Sequence, residues 1–228
     1  MPGFIFIIMI GLLVAGFIIQ ARLRSKLTAY SKYPSPNGMS GKDVAEKMLR
    51  DNGILDVQII SAEGYLSDHY NPMNKTINLS PEIYSGRSIA SAAIAAHECG
   101  HAVQHAVAYR WLTLRSQLVP VVSFSSRWMQ WILLAGILTI RMFPQLLLAG
   151  IVLFALTTLF SFITLPVEFD ASKRALAWMD KTGFMNSQDY TKAKDGLWWA
   201  AMTYVVAALG SLATLVYYIM IYSGGRRN

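Results

Sequence analysis

Cysteine, charge and acidic side chains are all scarce in this chain. Cys99 stands alone, which excludes an internal disulfide and fits a reducing compartment. Only 14% of the 228 residues are charged while 54% are hydrophobic, a balance that excludes an ordinary soluble domain and predicts a membrane protein. No internal repeat and no low-complexity segment is present, so neither a repeat array nor a disordered tract is expected. The long apolar runs contain no Asp or Glu, which leaves them without the carboxylate relay of an ion or proton transporter. The net charge of +7 does not call for a nucleic-acid partner. Its Lys and Arg residues cluster beside apolar stretches, as expected where loops meet anionic membrane lipid.

What is present is a set of about four spans. Residues 3–20 are long and apolar enough to cross a bilayer as a helix. They lack the preceding positive charge and the small-x-small site of a cleaved signal, so residues 1–21 read as an N-terminal membrane anchor. Residues 119–140 and 145–165 pair as a transmembrane hairpin within 119–166, and 197–222 supplies the last span within 197–228. The second span is flawed by Pro120, by the serines at 123, 125 and 126 and by Arg127. A charge at mid-membrane costs about 2.5–3.5 kcal/mol on insertion scales, so Arg127 must snorkel or face protein or water. Arg22, Arg24, Lys26 and Lys32 follow the anchor, and Lys173, Arg174, Lys192 and Lys194 lie between the last two spans. By the positive-inside rule residues 22–118 and 167–196 are expected on the cytoplasmic side. Arg226 and Arg227 run against this orientation.

Residues 22–118 read as a small α+β module. Ser40 and Asp43 form a weak capping box for a helix ended by Asn52-Gly53. Val57 to Ile60 reads as a strand, residues 64–74 as turns, and Lys75 to Ser80 as a half-buried edge strand that could pair with an extended substrate. Ser80-Pro81-Glu82 suits a helix start. The fold class is therefore mainly α: a polytopic helical membrane protein of about four spans with a small cytoplasmic α+β module.

The chemistry centres on His97-Glu98-Cys99-Gly100-His101. On a helix His97 and His101 lie one turn apart on one face, a spacing that can hold a single metal ion, most often zinc. Glu98 projects beside the pair, placed to take a proton from an attacking water, which is the pattern of zinc metalloproteases. Cys99 occupies a variable position and reads as small-residue packing. A catalytic zinc needs three protein ligands. His105 lies about 12 Å along the axis from His97, too far to share the ion, and is read as supporting or merely helical. Glu168 is the better third ligand, because the two-span hairpin returns it to the membrane face of the metal helix. A helix-start carboxylate is the alternative reading of that residue.

Three segments then carry a resemblance: His97-Glu98-x-x-His101, Leu165-Pro166-Val167-Glu168-Phe169-x-Ala171-Ser172, and Ser67-Asp68-His69-Tyr70-x-Pro72. With the order of one anchor, one module and three further apolar segments, the chain resembles the YugP-type neutral zinc metallopeptidases of bacterial membranes. More distantly it is similar to membrane gluzincins of the HtpX and CaaX-protease type. That likeness implies a Glu on a later helix as third ligand, here Glu168. Those relatives usually carry Asp four residues further on, where this chain has Ser172, with Asp170 as a nearby acid that could instead cap a helix. The expected activity is zinc-dependent endopeptidase action on membrane or misfolded proteins at the cytoplasmic face, with Glu98 as base. His69 and Tyr70 are candidates for stabilising the transition state, and His105 and Asp170 for supporting the ligands. The expected partners are a protein or peptide substrate and membrane lipid. The competing reading is a non-enzymatic membrane scaffold or chaperone with structural zinc.

Overall fold

The computed structural model describes residues 2–64 and 68–225. Its elements in chain order are α1 (Pro2–Tyr30), α2 (Gly41–Asp51), β1 (Gln58–Ser61), β2 (His69–Asn71), β3 (Thr76–Leu79), α3 (Pro81–Tyr84), α4 (Ile89–Ala106), α5 (Arg110–Leu138), α6 (Pro144–Lys181) and α7 (Ser187–Gly225). Among the described residues, α1, α5, α6 and α7 are long and apolar enough to cross a membrane. The chain divides into two compact units, one of residues 1–18, 114–165 and 203–228, the other of 19–113 and 166–202.

The second unit is built around α4. Its alanines at 92, 95, 96 and 102 and the Cys99 thiol are buried against Val44, Met48 and Leu49 of α2 and Ile77 and Leu79 of β3. Ala175, Trp178 and Met179 of α6 join the same core. The small side chains let neighbouring backbones come close, and Cys99 serves the packing role its position suggests. Its thiol donates to the Ala45 carbonyl at 3.5 Å. The capping box of α2 is complete: the Asp43 backbone N–H reaches Ser40 Oγ at 3.2 Å and the Ser40 N–H reaches Asp43 Oδ2 at 2.8 Å. Two long-range bonds tie helices of this unit together. Trp178 Nε1 donates to Asp51 Oδ2 at 2.9 Å, and the Tyr30 hydroxyl to Asp195 Oδ2 at 2.6 Å, where Lys26 also lies at 2.9 Å.

The sheet corrects the sequence reading in two ways. Its order is β1-β3-β2, with β1 parallel and β2 antiparallel to β3. The Lys75–Ser80 segment is thus the central strand, buried at all four positions of β3, and both its edges are already paired. It cannot add a substrate strand. His69 and Tyr70 lie not in a turn but in β2, an outer strand, with His69 opposite Asn78 and Tyr70 opposite Ile77. Ser67 lies outside the described residues.

In the first unit, Leu133 of α5 packs with Leu147 and Ile151 of α6. A Cβ on Gly136 would stand 2.5 Å from the Leu147 Cα, so only glycine permits this approach. The helix α6 also outruns its expectation. A span ending at Leu165 followed by a polar segment is replaced by one unbroken helix that passes through Pro166 and ends at Lys181. Proline removes one internal N–H bond, and the helix nonetheless continues with Ile163 and Val167 buried on either side of Pro166.

Candidate metal centre

Two helices bring the site together. Ser88 caps α4, its hydroxyl accepting from the Ser91 N–H at 3.1 Å, and from there the helix carries His97, Glu98 and His101. Glu168 comes from α6. The helices touch where Gly100 meets Ala171: a Cβ at Gly100 would sit 2.4 Å from the Ala171 carbonyl oxygen and 3.0 Å from its Cα. Any side chain there pushes backbone against backbone, so glycine sets the separation across which the site forms.

His97, His101 and Glu168 each present a ligand atom within 4.8 Å of the other two. The Glu168 Oε2 atom lies 3.3 Å from His97 Nε2 and 3.6 Å from His101 Nε2. The imidazoles stand edge to face, centroids 4.9 Å apart and planes at 84°. A tetrahedral zinc with bonds of about 2.0–2.1 Å holds its ligand atoms roughly 3.3 Å from one another, so the distances from Glu168 to the two imidazole nitrogens suit it. The donor set, two neutral nitrogens and one carboxylate, also suits zinc. Glu168 is only 3% exposed, and a carboxylate so buried is costly unless a cation balances it.

The outward nitrogens of both histidines are held as well. Ser172 Oγ lies 3.0 Å from His97 Nδ1, and Gln104 Oε1 lies 3.0 Å from His101 Nδ1. Gln104, fully buried, passes its amide protons to the Val167 carbonyl at 2.8 Å and to Asp170 Oδ2 at 2.9 Å. Asp170 is therefore not a cap. It sits inside α6, tied to Gln104 and to Arg174 Nε, and the Arg174 guanidinium lies over the Tyr109 ring at 5.7 Å. Such contacts fix which ring nitrogen faces a metal. Sequence reasoning passed over Ser172 and Gln104 in this role. Their signal was spacing: each stands one helical turn beyond a candidate ligand, Ser172 after Glu168 and Gln104 after His101. Ser172→Ala and Gln104→Leu are each expected to weaken zinc binding by about 10–100-fold without abolishing it, measured by competition with a chromogenic chelator.

Glu98 is buried beside the trio at 6% exposure. Burial pushes its carboxyl up to about 7; neighbouring His97 opposes the rise, while the negative charges of Glu168 and Asp68 add to it. The Tyr70 backbone N–H donates to this carboxylate, which sets β2 beside it. The Tyr70 hydroxyl lies 2.7 Å from His105 Nδ1. His105 is exposed at the end of α4 and stands outside the three-residue cluster, as does exposed His69.

A family model described as "Putative neutral zinc metallopeptidase" matches residues 5–223. The chain belongs to that zinc metallopeptidase family. Within the family it is 39% identical over 210 residues to the "Putative membrane protease YugP" of Bacillus subtilis (strain 168), an alignment covering 92% of each chain. No solved structure matches. The matched range, residues 5–223, includes His97, Glu98, His101 and Glu168 and most of the four long apolar helices.

Proposed function

We propose that this chain is a membrane-embedded zinc endopeptidase that hydrolyses peptide bonds of membrane or misfolded proteins at the cytoplasmic face. The observation that carries the reading is a buried glutamate which is not part of the ligand cluster, set against two histidines and a carboxylate at zinc-like separations. A purely structural metal has no use for such a base. His97, His101 and Glu168 would hold the ion. When bound, zinc supplies a Lewis acid that acidifies water and polarises a carbonyl.

The chain's own groups do the rest. Glu98, with an affinity for protons near neutrality, takes one from the attacking water and gives it to the leaving amine nitrogen. The Tyr70 N–H keeps that carboxylate in place. The outer strand β2, next to Glu98, is the element along which an extended peptide would lie, in place of the buried β3. The Tyr70 hydroxyl, steadied by His105, is the donor on this strand for a carbonyl oxygen that gains charge. His69 precedes it on the same strand, at the exposed side.

The test is metal removal. Purified protein in detergent should cleave unfolded casein, lose the activity on dialysis against 1,10-phenanthroline, and recover it with one equivalent of zinc. Calcium or magnesium should not restore it, since both prefer oxygen ligands. Wild-type protein that carries zinc and cleaves neither casein nor a membrane-protein substrate would favour the scaffold reading.

The cytoplasmic orientation rests on the Lys/Arg asymmetry and has its own measurement. Met73→Cys and Ser187→Cys, both at exposed positions, should resist an impermeant thiol reagent in intact cells, whereas Met142→Cys should react. Cys99 is buried and leaves the background low. Labelling of the first two and shielding of the third would invert the topology.

A further inference from the structure

The helix α5 carries a polar stripe that none of the described residues of the first unit covers. Ser116, Ser123, Arg127 and Gln130 fall on one face at helical spacing, and all are exposed. Gly136, which packs against Leu147 of α6, lies nine residues on from Arg127 and so on the opposite face. Arg127 lies near the middle of the apolar run, eight residues or about 12 Å from Val119, farther than a side chain can stretch towards the headgroups. Phe124, Trp128 and Trp131 flank the stripe on one side, 70%, 52% and 61% exposed, so its surroundings suit hydrocarbon or another helix rather than a water channel.

We infer that this face of α5 docks a membrane-spanning helix of another protein that carries an acidic side chain at mid-depth. Charge decides among the occupants. Residues 1–18, 114–165 and 203–228 contain no Asp or Glu, so this unit offers Arg127 no carboxylate of its own. A second copy meeting face to face would set two Arg127 side chains against each other with no counter-charge. Lipid phosphates lie outside the hydrocarbon layer. A carboxylate on a partner helix answers the guanidinium with paired hydrogen bonds in a medium where neither ion has water, and the serines leave room for close approach. This inference does not depend on hydrolysis, and it concerns binding alone.

The experiment uses full-length protein in phosphatidylcholine vesicles, with a donor dye on Met142→Cys in the loop after α5. Acceptor-labelled polyleucine peptides span the same vesicles, one with a single central Asp and one with Leu in its place. Energy transfer should half-saturate at a peptide-to-lipid ratio at least about tenfold lower for the Asp peptide than for the Leu peptide. Arg127→Leu should remove that preference and Arg127→Lys should retain part of it. Equal association of the two peptides with wild-type protein would overturn the proposal without reference to any variant. So would a preference that survives Arg127→Leu, an Arg127-dependent energy transfer between copies of the protein itself, or attack on Arg127→Cys by an impermeant thiol reagent, which would show water on this face.

Discussion

Glu168→Gln is expected to leave the purified protein without stoichiometric zinc, while His105→Ala leaves it loaded. The contrast follows from where the two side chains stand. Glu168 Oε2 is 3.3 and 3.6 Å from the inward nitrogens of His97 and His101, and it brings the only negative charge to the cluster of three. Glutamine keeps the volume and one oxygen but loses that charge, on which the hold over a divalent cation mostly depends. Removal of a supporting residue typically costs about 10–100-fold, so loss of a ligand should exceed about 100-fold. His105 faces solvent, and its Nδ1 is engaged with the Tyr70 hydroxyl. Its replacement should change zinc affinity by no more than the lower end of that range. A titration in which His105→Ala empties the site and Glu168→Gln leaves it full would reverse the assignment of the third ligand.

The pairing of histidines was legible because one helical turn is a local rule, and α4 obeys it. Glu168, 67 residues on from His101, could be reached only from the expectation of a two-span hairpin; it stands on α6. Supporting contacts were less visible, since a serine or glutamine carries no motif of its own. Ser172 stands where the distant relatives usually carry Asp, yet its hydroxyl meets His97 Nδ1 directly. Asp170 acts one bond further away, through Gln104, and so contributes to His101 rather than to His97. The strand β2 was missed because three polar residues are too short to show a period of two. Without β2 the place of β3 was misread as well. Its alternating Thr76, Ile77, Asn78 and Leu79 suggested one wet face, but β3 lies between two strands with helices near, and even Thr76 and Asn78 are buried. Pro166 looked like the end of a span because a proline next to charged residues usually is one. Here the helix runs on through Pro166, with Ile163 and Val167 on either side of it buried and a single internal hydrogen bond lost.

Glu98→Gln is expected to keep zinc and lose hydrolysis, with the rate down by about 100- to 10,000-fold, the range in which a positioned base contributes. Glutamine matches glutamate in size, so a side chain 6% exposed can be exchanged without a cavity or a clash. The Tyr70 N–H still finds an oxygen, and the strand beside the site keeps its anchor. What disappears is the group that accepts the water proton and delivers it to the leaving nitrogen. Zinc content should stay within a few-fold of wild type, because Glu98 is not a member of the cluster His97, His101 and Glu168. Its removal also relieves the repulsion from Glu168 that helps to push its carboxyl towards neutrality. Two measurements on the same preparation, zinc by atomic absorption and cleavage of casein, therefore separate base from ligand. A variant that cleaves as well as wild type would remove Glu98 from the mechanism and leave the metal site standing. A variant that loses its zinc would instead move Glu98 into the ligand set and require another residue to act as base.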